Sequence, residues 1–128
     1  MRVLLDTHAF IWWANDDPSL SLSAKRVIED RSNEIFLSAI TSWEMAIKSA
    51  IGKLLLAQPV SSFIDAQIAQ YNFRPLTITH EHAYQVETMT MHHNDPFDRL
   101  LIAQALMEDL VILTRDSEFS QYGVKTLW

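Results

Sequence analysis

The sequence contains no cysteine, which excludes a disulfide framework and a thiolate metal site. It has only two glycines and four prolines and no low-complexity tract, which argues against disorder. The longest apolar run, AFIWWA, is far shorter than a membrane span. The opening residues MRVLLD meet an acid at position 6, unlike a signal peptide. We therefore expect a cytoplasmic protein with no membrane association.

Positive charge is also scarce, because Lys and Arg number 10 against 16 Asp and Glu, a net charge of -6. This balance argues against a broad basic surface for nucleic acid. It is compatible with an enzyme that reaches phosphates through a bound cation. The 128 residues are 48% hydrophobic, which fits one domain spanning residues 1–128 with a sizeable core.

Short apolar runs alternate with amphipathic segments along the chain. The predicted strands are 2–5, 34–38, 73–77, 110–114 and 124–128. The predicted helices are 7–14, 23–31, 41–54, 61–72, 79–89 and about 96–108. This alternation predicts an α/β layer fold with a mainly parallel sheet and right-handed crossovers.

Five acids follow predicted strands or begin predicted helices. Asp6 and Asp116 come after the first and fourth strands. Glu44, Asp95 and Asp98 lie in the first turns of helices or just before them. Parallel strands and their crossover helices run in opposite directions, so all five acids are expected at one edge of the sheet. Open α/β sheets bind their ligands at this edge.

Each acid also has a purely structural explanation. Asp95 fits a helix N-cap, and Thr41 with Glu44 fits a capping box. Asp6 fits a helix cap, and Asp116 fits an Asx turn. Capping alone does not explain acids directly after two separate buried strands.

A cluster of carboxylates needs a counter-charge. Two of them 4 Å apart repel by roughly 4 kcal/mol at an effective dielectric of 20, so they either share protons or bind a cation. Oxygen ligands without cysteine favour Mg²⁺ or Mn²⁺. Such a site suits metal-assisted hydrolysis of phosphodiesters.

Four stretches of the chain resemble the PIN domain and, within it, the VapC-like ribonuclease toxins of type II toxin–antitoxin modules. They are LLDTHAFIWW, SAITSWEMAIKSAIGKL, NDPFDRLLIAQA and ILTRDSEFSQYGV, in the order of the family. The resemblance spans essentially the whole chain. It implies a three-layer α/β fold whose five-stranded, mainly parallel sheet has the order 3-2-1-4-5 and is flanked by helices.

By this resemblance, the acidic quartet that holds Mg²⁺ or Mn²⁺ corresponds to Asp6, Glu44, Asp98 and Asp116. The implied reaction is in-line cleavage of single-stranded RNA by metal-activated water, leaving a 5′-phosphate and a 3′-hydroxyl. Asp6 and Asp98 are expected to ligate the metal most directly. Glu44 is expected to orient or deprotonate the water. Asp116 is expected to bind the metal through water or to complete a second site.

Other residues are expected to support the quartet or the substrate. Thr7 and Thr114 match hydroxyl positions that support the acids, and Asp95 is expected as a cap or a neighbour of the metal ligands. Arg99 and Arg115 flank quartet acids. We expect them either to contact RNA phosphates or to be solvated or salt-bridged arginines.

The resemblance also implies partners. Toxins of this kind form homodimers and are blocked by a segment of an antitoxin protein, laid in a hydrophobic groove that reaches the acids. Trp12 and Trp13 lie on a helix that is apolar on several sides, so at least one of them is a candidate for a partner interface. Trp43 is expected in the core.

The histidines do not have the pattern of a metal site, and two other functions are considered for the chain. The adjacent His92 and His93 lack the helical spacing of a zinc site, and His82 is expected at the surface. A phosphatase of the haloacid dehalogenase type would need an acid at position 8, where this chain has His8. A catalytically idle PIN-like binding module would have lost a quartet acid, and none is missing.

Overall fold

The computed structural model describes residues 1–128, the whole chain. Its strands are β1 Arg2–Leu5, β2 Glu34–Ser38, β3 Arg74–Leu76, β4 Val111–Leu113 and β5 Thr126–Leu127. Its helices are α1 Thr7–Ala14, α2 Leu22–Glu29, α3 Ala39–Ala50, α4 Val60–Tyr71, α5 His80–Thr88 and α6 Pro96–Glu108, with a short 3₁₀ helix at Ser117–Tyr122. No helix combines the length and the hydropathy needed to cross a membrane.

The five strands form one sheet in the order β3-β2-β1-β4-β5. Every neighbouring pair is parallel, so the expected fold and strand order are confirmed. The central strand β1 pairs with β2 on one side and with β4 on the other. The strand order therefore reverses at β1, which is where a crevice for ligands opens at the carboxyl edge.

Side chains of β1 alternate between two separate cores. Val3 and Leu5 belong to a cluster of 13 buried residues that includes Phe10 of α1. Leu4 points to the other face, into a cluster of nine buried residues that includes Leu101 of α6. The alternation has the period of two that a strand imposes. A strand that is apolar on both faces is thus covered by helices on both sides, which makes three layers.

Helix α3 starts earlier than the sequence analysis predicted. Strand β2 passes directly into it, and the Oγ of Ser38 accepts a hydrogen bond from the backbone N–H of Ile40 at 3.0 Å as the N-cap. Thr41 lies inside the helix and is buried, so the predicted Thr41–Glu44 capping box is wrong. The strand supplies its own cap, which removes the loop that the prediction assumed.

The exposed face of α3 also differs from the prediction. Trp43 was expected in the core, but 49% of its surface is exposed. The side of the helix that faces the protein carries Ile40, Thr41, Glu44 and Met45. Trp43 therefore lies on the outer side, where its ring packs edge-on against another aromatic ring, that of Phe97, at 4.9 Å.

The expectation of a surface position for His82 is wrong as well, because only 1% of this residue is exposed. Its Nδ1 accepts a hydrogen bond from the backbone N–H of Thr79 at 3.0 Å, which completes a capping box at the start of α5. Its Nε2 lies 2.8 Å from the Oε1 of Glu108 at the end of α6. Histidine thus takes the place of glutamate in a capping box and joins two helices.

The two-core arrangement predicts a large cost for truncating Leu4, whose side chain has no exposed surface. We expect Leu4→Ala to lower the free energy of unfolding by about 2–5 kcal/mol, because it leaves a cavity beside the central strand. Urea denaturation followed by circular dichroism measures the loss. The matched control is Leu22→Ala at a position that is 62% exposed, and equal effects of the two substitutions would contradict the placement of Leu4.

Candidate functional site

Two of the strand-end acids are linked by one threonine. Asp6 follows β1, and its backbone N–H donates to the carbonyl of Leu113 at the end of β4 at 3.1 Å. The Oγ1 of Thr114 donates to the Oδ2 of Asp6 at 2.8 Å and accepts from the backbone N–H of Asp116 at 3.1 Å. The parallel pairing of β1 with β4 therefore brings Asp6 and Asp116 to the same edge.

The other two quartet acids come from helices α3 and α6. Glu44 is buried and forms an ion pair with Lys48, four residues later on α3. Asp98 lies in the first turn of α6, and its backbone N–H donates to the Oδ1 of Asp95, the N-cap, at 3.0 Å. Pro96 occupies the start of the helix as expected. Asp95 thus shapes the helix end that presents Asp98.

The electrostatics of Asp98 show that the acids share one region. The pKa of the Asp98 carboxyl is raised from an ordinary 3.8 to about 8, and burial is the largest cause. The negative charges of Asp95, Asp6, Glu44 and Asp116 supply the rest of this rise, in that order of effect. Repulsion of this kind requires the carboxylates to be near one another in a poorly solvated place. Acids that are distant in sequence therefore act on a single carboxyl group.

The pKa of Asp6 is raised as well, and burial is again the largest cause. The hydrogen bond from Thr114 and the positive charge of His8 oppose the shift, whereas the charge of Glu44 adds to it. Asp6 at a strand end and Asp98 at a helix start are thus both destabilised as anions. A counter-charge placed among them would restore their ionised forms.

Three of the acids leave carboxylate oxygens without a partner. The Oδ1 of Asp6 and the Oε1 of Glu44 are buried and accept no hydrogen bond. The Oδ1 of Asp98 has no hydrogen-bond partner either, since only its Oδ2 is engaged. An unsatisfied buried polar group costs about 1–3 kcal/mol, and more when it is charged. These oxygens fit a hard divalent cation such as Mg²⁺ or Mn²⁺.

The acids form a cluster of charges, but their side chains do not have the geometry of a metal-binding site. No group of three or more His, Asp or Glu side chains has the arrangement needed to hold a metal ion as it stands. The assignment of Asp6, Glu44, Asp98 and Asp116 as ligands of one metal centre stays a prediction.

The Oγ1 of Thr7 lies 2.9 Å from the Oγ1 of Thr41. Thr7 therefore links helix α1 to helix α3. The sequence analysis expected it to support an acid, and its hydroxyl contacts none.

An RNA contact by Arg99 is contradicted by its burial. Only 5% of Arg99 is exposed, and its Nη2 donates to the carbonyls of Val86 and Met89 at 3.2 and 3.3 Å. Its Nη1 is buried without a partner. The guanidinium caps the C-terminus of helix α5, where unpaired carbonyl groups attract positive charge.

Arg115, by contrast, is exposed beside the acids. Its guanidinium lies over the ring of Trp12 at 4.6 Å, and Trp12 also contacts Trp128 edge-on at 5.8 Å. Trp13 packs against Tyr71 at 5.1 Å. An RNA contact by Arg115 and a partner interface at Trp12 or Trp13 stay predictions.

A groove lies elsewhere on the molecule. It has a volume of about 1060 Å³, and Trp12, Trp13, Arg31 and Arg74 are among its lining residues. None of the quartet acids lines it. We place the candidate site at the acid cluster, because the groove contains neither the strand-end acids nor their unpartnered oxygens.

Two residues near the acids were not identified as site residues from the sequence. The Nε2 of His93 lies 3.3 Å from the Oδ2 of Asp98, and the Nδ1 of the same ring lies 2.7 Å from the hydroxyl of Tyr122. A histidine five positions before an acid was the available signal. Nothing in the local sequence pointed to Tyr122, which is 29 residues away from His93.

A parallel sheet in this strand order, with acids gathered at its carboxyl edge, defines an α/β protein whose site lies at the switch point of the strands. The family model described as PIN domain matches residues 3–125. The chain belongs to the PIN domain family.

Individual relatives agree with this assignment. The chain is 33% identical over 115 residues to a Mycobacterium tuberculosis protein named ribonuclease VapC22, an alignment that covers 89% of this chain and 86% of that one. VapBC2 from Rickettsia felis, crystallised with a DNA fragment from its promoter, has a similar fold with a TM-score of 0.74 at 16% identity, covering 100% and 99% of the two chains. A toxin–antitoxin complex from Klebsiella pneumoniae matches with a TM-score of 0.63 at 19% identity, covering 98% and 96%.

The raised pKa of Asp98 predicts that the metal-free protein loses stability as the pH rises. The native state holds a proton on Asp98 up to about pH 8, whereas the unfolded chain releases it near the ordinary 3.8. The native state binds more protons across this interval, so the free energy of unfolding falls between these two pH values. We expect Asp98→Asn to remove this contribution and to stabilise the metal-free protein more at pH 8 than at pH 5.

Thermal unfolding in EDTA at both pH values measures the effect. The matched control is Asp65→Asn on helix α4, because Asp65 is exposed. If wild type and Asp98→Asn change equally between pH 5 and pH 8, the shift of the Asp98 pKa is refuted.

Proposed function

We propose that the protein is the toxin of a type II toxin–antitoxin module and a ribonuclease that hydrolyses phosphodiester bonds of single-stranded RNA with Mg²⁺ or Mn²⁺. The observation that carries the proposal is the convergence of acids from distant parts of the chain on Asp98, a carboxyl whose pKa is raised to about 8 by its burial and by these neighbouring charges. Membership of the PIN domain family and similarity to a protein named ribonuclease VapC22 support the same function.

Asp6 and Asp98 are the residues that would hold the ion directly, because each has a carboxylate oxygen without a hydrogen-bond partner. The Oδ1 of Asp116 accepts a hydrogen bond from the backbone N–H of Glu118 at 2.9 Å, which suits a role through water or at a second site. A bound divalent ion would neutralise the clustered charge and polarise a phosphate oxygen.

The chain's own residues prepare this centre in metal-free form. Thr114 holds the Oδ2 of Asp6, which leaves the Oδ1 available. Lys48 neutralises Glu44 through Oε2, and the unpartnered Oε1 is the candidate acceptor for a proton from an attacking water. Asp98 lies in the first turn of α6, where the positive end of the helix dipole favours an anionic substrate.

The proposal predicts RNA cleavage that depends on a divalent ion and on Asp98. We expect the wild-type protein to cleave single-stranded RNA with Mg²⁺ or Mn²⁺, leaving 5′-phosphates, and EDTA to abolish the cleavage. Asp98→Asn is expected to lower the rate by more than the roughly 10–100-fold typical of residues that only support metal ligands. Gel analysis of an end-labelled RNA pool, with mapping of the product ends, measures both effects.

Asp65→Asn is the control for the loss of one negative charge, and its activity should equal that of the wild type. Cleavage that survives EDTA and persists equally in Asp98→Asn would indicate a contaminating nuclease. A folded wild type that binds Mn²⁺ but cleaves no RNA would favour an idle PIN-like binding module.

We further propose that an antitoxin segment covers an apolar row on helix α3. Trp43, Ile47 and the C-cap residue Ile51 are exposed and lie four residues apart, so they share one side of the helix and its end. The ring of Trp43 packs against that of Phe97, the residue before Asp98, at 4.9 Å, which brings the row close to the acids. We also propose that the protein forms a homodimer.

This proposal predicts that Trp43→Ala weakens inhibition by the antitoxin while RNA cleavage is retained. The truncation removes a large exposed ring from the row, and such rings often dominate interfaces. Isothermal titration with the cognate antitoxin measures the affinity, which we expect to fall by at least about tenfold. Tyr84→Ala, at an exposed aromatic residue on α5, is the control, and equal losses for both variants would refute the α3 row.

A further inference from the structure

The hydroxyl of Tyr122 receives two hydrogen bonds from one loop. The backbone N–H groups of His92 and His93 both donate to the Tyr122 oxygen at 3.2 Å. A phenolic oxygen that accepts two donors has only its own proton left to offer. The remaining polar atom within reach is the Nδ1 of His93 at 2.7 Å, so the hydroxyl donates to Nδ1.

This arrangement determines the tautomer of His93. A neutral imidazole carries one N–H and one acceptor nitrogen. Since Nδ1 accepts from Tyr122, the proton of a neutral His93 is on Nε2. That nitrogen lies 3.3 Å from the Oδ2 of Asp98, so a neutral His93 donates to this oxygen of the carboxyl group.

We propose that His93, held as its Nε2–H tautomer by Tyr122, is a positioning residue for Asp98: it engages Oδ2 and leaves Oδ1 for the divalent ion. This inference rests on the proposed metal-dependent function. Hydrogen bonds to metal-ligating side chains orient them, and loss of such a bond commonly weakens metal binding. His93 acts through Asp98 and is not itself a metal ligand, because both of its ring nitrogens are already engaged.

The position of Tyr122 couples two of the acid-bearing segments. Tyr122 is the last residue of the 3₁₀ helix that Asp116 caps. It reaches across to the loop that precedes Asp98. The ring of Phe119 in the same helix lies 6.3 Å from the ring of His93. The segment that carries Asp116 is thus the support that holds His93 against Asp98.

The first test examines the tautomer in the metal-free protein. Imidazole ¹⁵N chemical shifts, recorded at a pH where the ring is neutral, distinguish Nε2–H from Nδ1–H. We expect His93 to be the Nε2–H tautomer in the wild type and to lose this preference in Tyr122→Phe. An Nδ1–H tautomer for His93 in the wild type would overturn the proposal.

The second test measures Mn²⁺ affinity by isothermal titration and RNA cleavage by steady-state kinetics. We expect His93→Ala and Tyr122→Phe to bind Mn²⁺ roughly 10–100-fold more weakly than the wild type. At a fixed subsaturating Mn²⁺ concentration, kcat should fall while the KM for RNA stays unchanged. His93→Gln should recover much of the affinity, because its side-chain amide can donate to the Asp98 carboxylate.

An exposed histidine away from Tyr122 provides the control. His80 on helix α5 is exposed and its side chain forms no hydrogen bond, whereas the ring of His92 packs edge-on against that of Tyr122 at 4.7 Å. We expect His80→Ala to bind Mn²⁺ as the wild type does. If folded His93→Ala also binds Mn²⁺ as tightly as the wild type, the positioning role is refuted.

Failure of the proposed function would look different. A wild-type protein that neither binds Mn²⁺ nor cleaves RNA would overturn the metal-dependent function together with this inference. A wild type that does both, with His93→Ala unaffected, would overturn only the inference. Should His93→Ala fail to fold, the ¹⁵N measurement on the wild type and the affinity of Tyr122→Phe still decide the outcome.

Discussion

The repulsion among carboxylates at one edge of a parallel sheet is the constraint on which this molecule depends. Pairing of β1 with β4 places Asp6 and Asp116 at that edge, and the starts of the neighbouring helices add further acids. The pKa of Asp98, raised to about 8 first by burial and then by the neighbouring charges, shows the cost of holding these acids together. Burial of apolar side chains in two cores, one on each face of the sheet, offsets that cost.

Three of the quartet acids are each contacted by a different kind of donor. A threonine hydroxyl donates to Asp6, a lysine ammonium pairs with Glu44, and a histidine ring contacts Asp98. In each case the neighbour engages one carboxylate oxygen and the other has no hydrogen-bond partner, and for Asp6 and Glu44 this second oxygen is buried. These contacts therefore fix the positions of the carboxylates but leave their negative charge only partly neutralised. Any cation bound there would stabilise the folded state by mass action.

The location of the acids at one edge of the sheet was predictable, because it follows from the directions of the strands and helices alone. Parallel strands and crossover helices determine which ends meet, so residues after strands and at helix starts share an edge whatever the detailed packing. Predictions that required the inward side of a helix were less successful. Trp43 and His82 were assigned to the wrong environments, and Arg99 proved to bind helix-end carbonyls rather than face the solvent.

The sequence by itself determined the alternation of strands and helices and the positions of the acids relative to strand ends, since both depend on local periodicity and chain direction. Its resemblance to a family supplied the strand order. Only the tertiary structure decided which acid oxygens lack a partner and which donors hold the rest. Those contacts join residues as distant as Asp6 and Thr114 or His93 and Tyr122, and no local pattern encodes a contact between segments that meet only after folding.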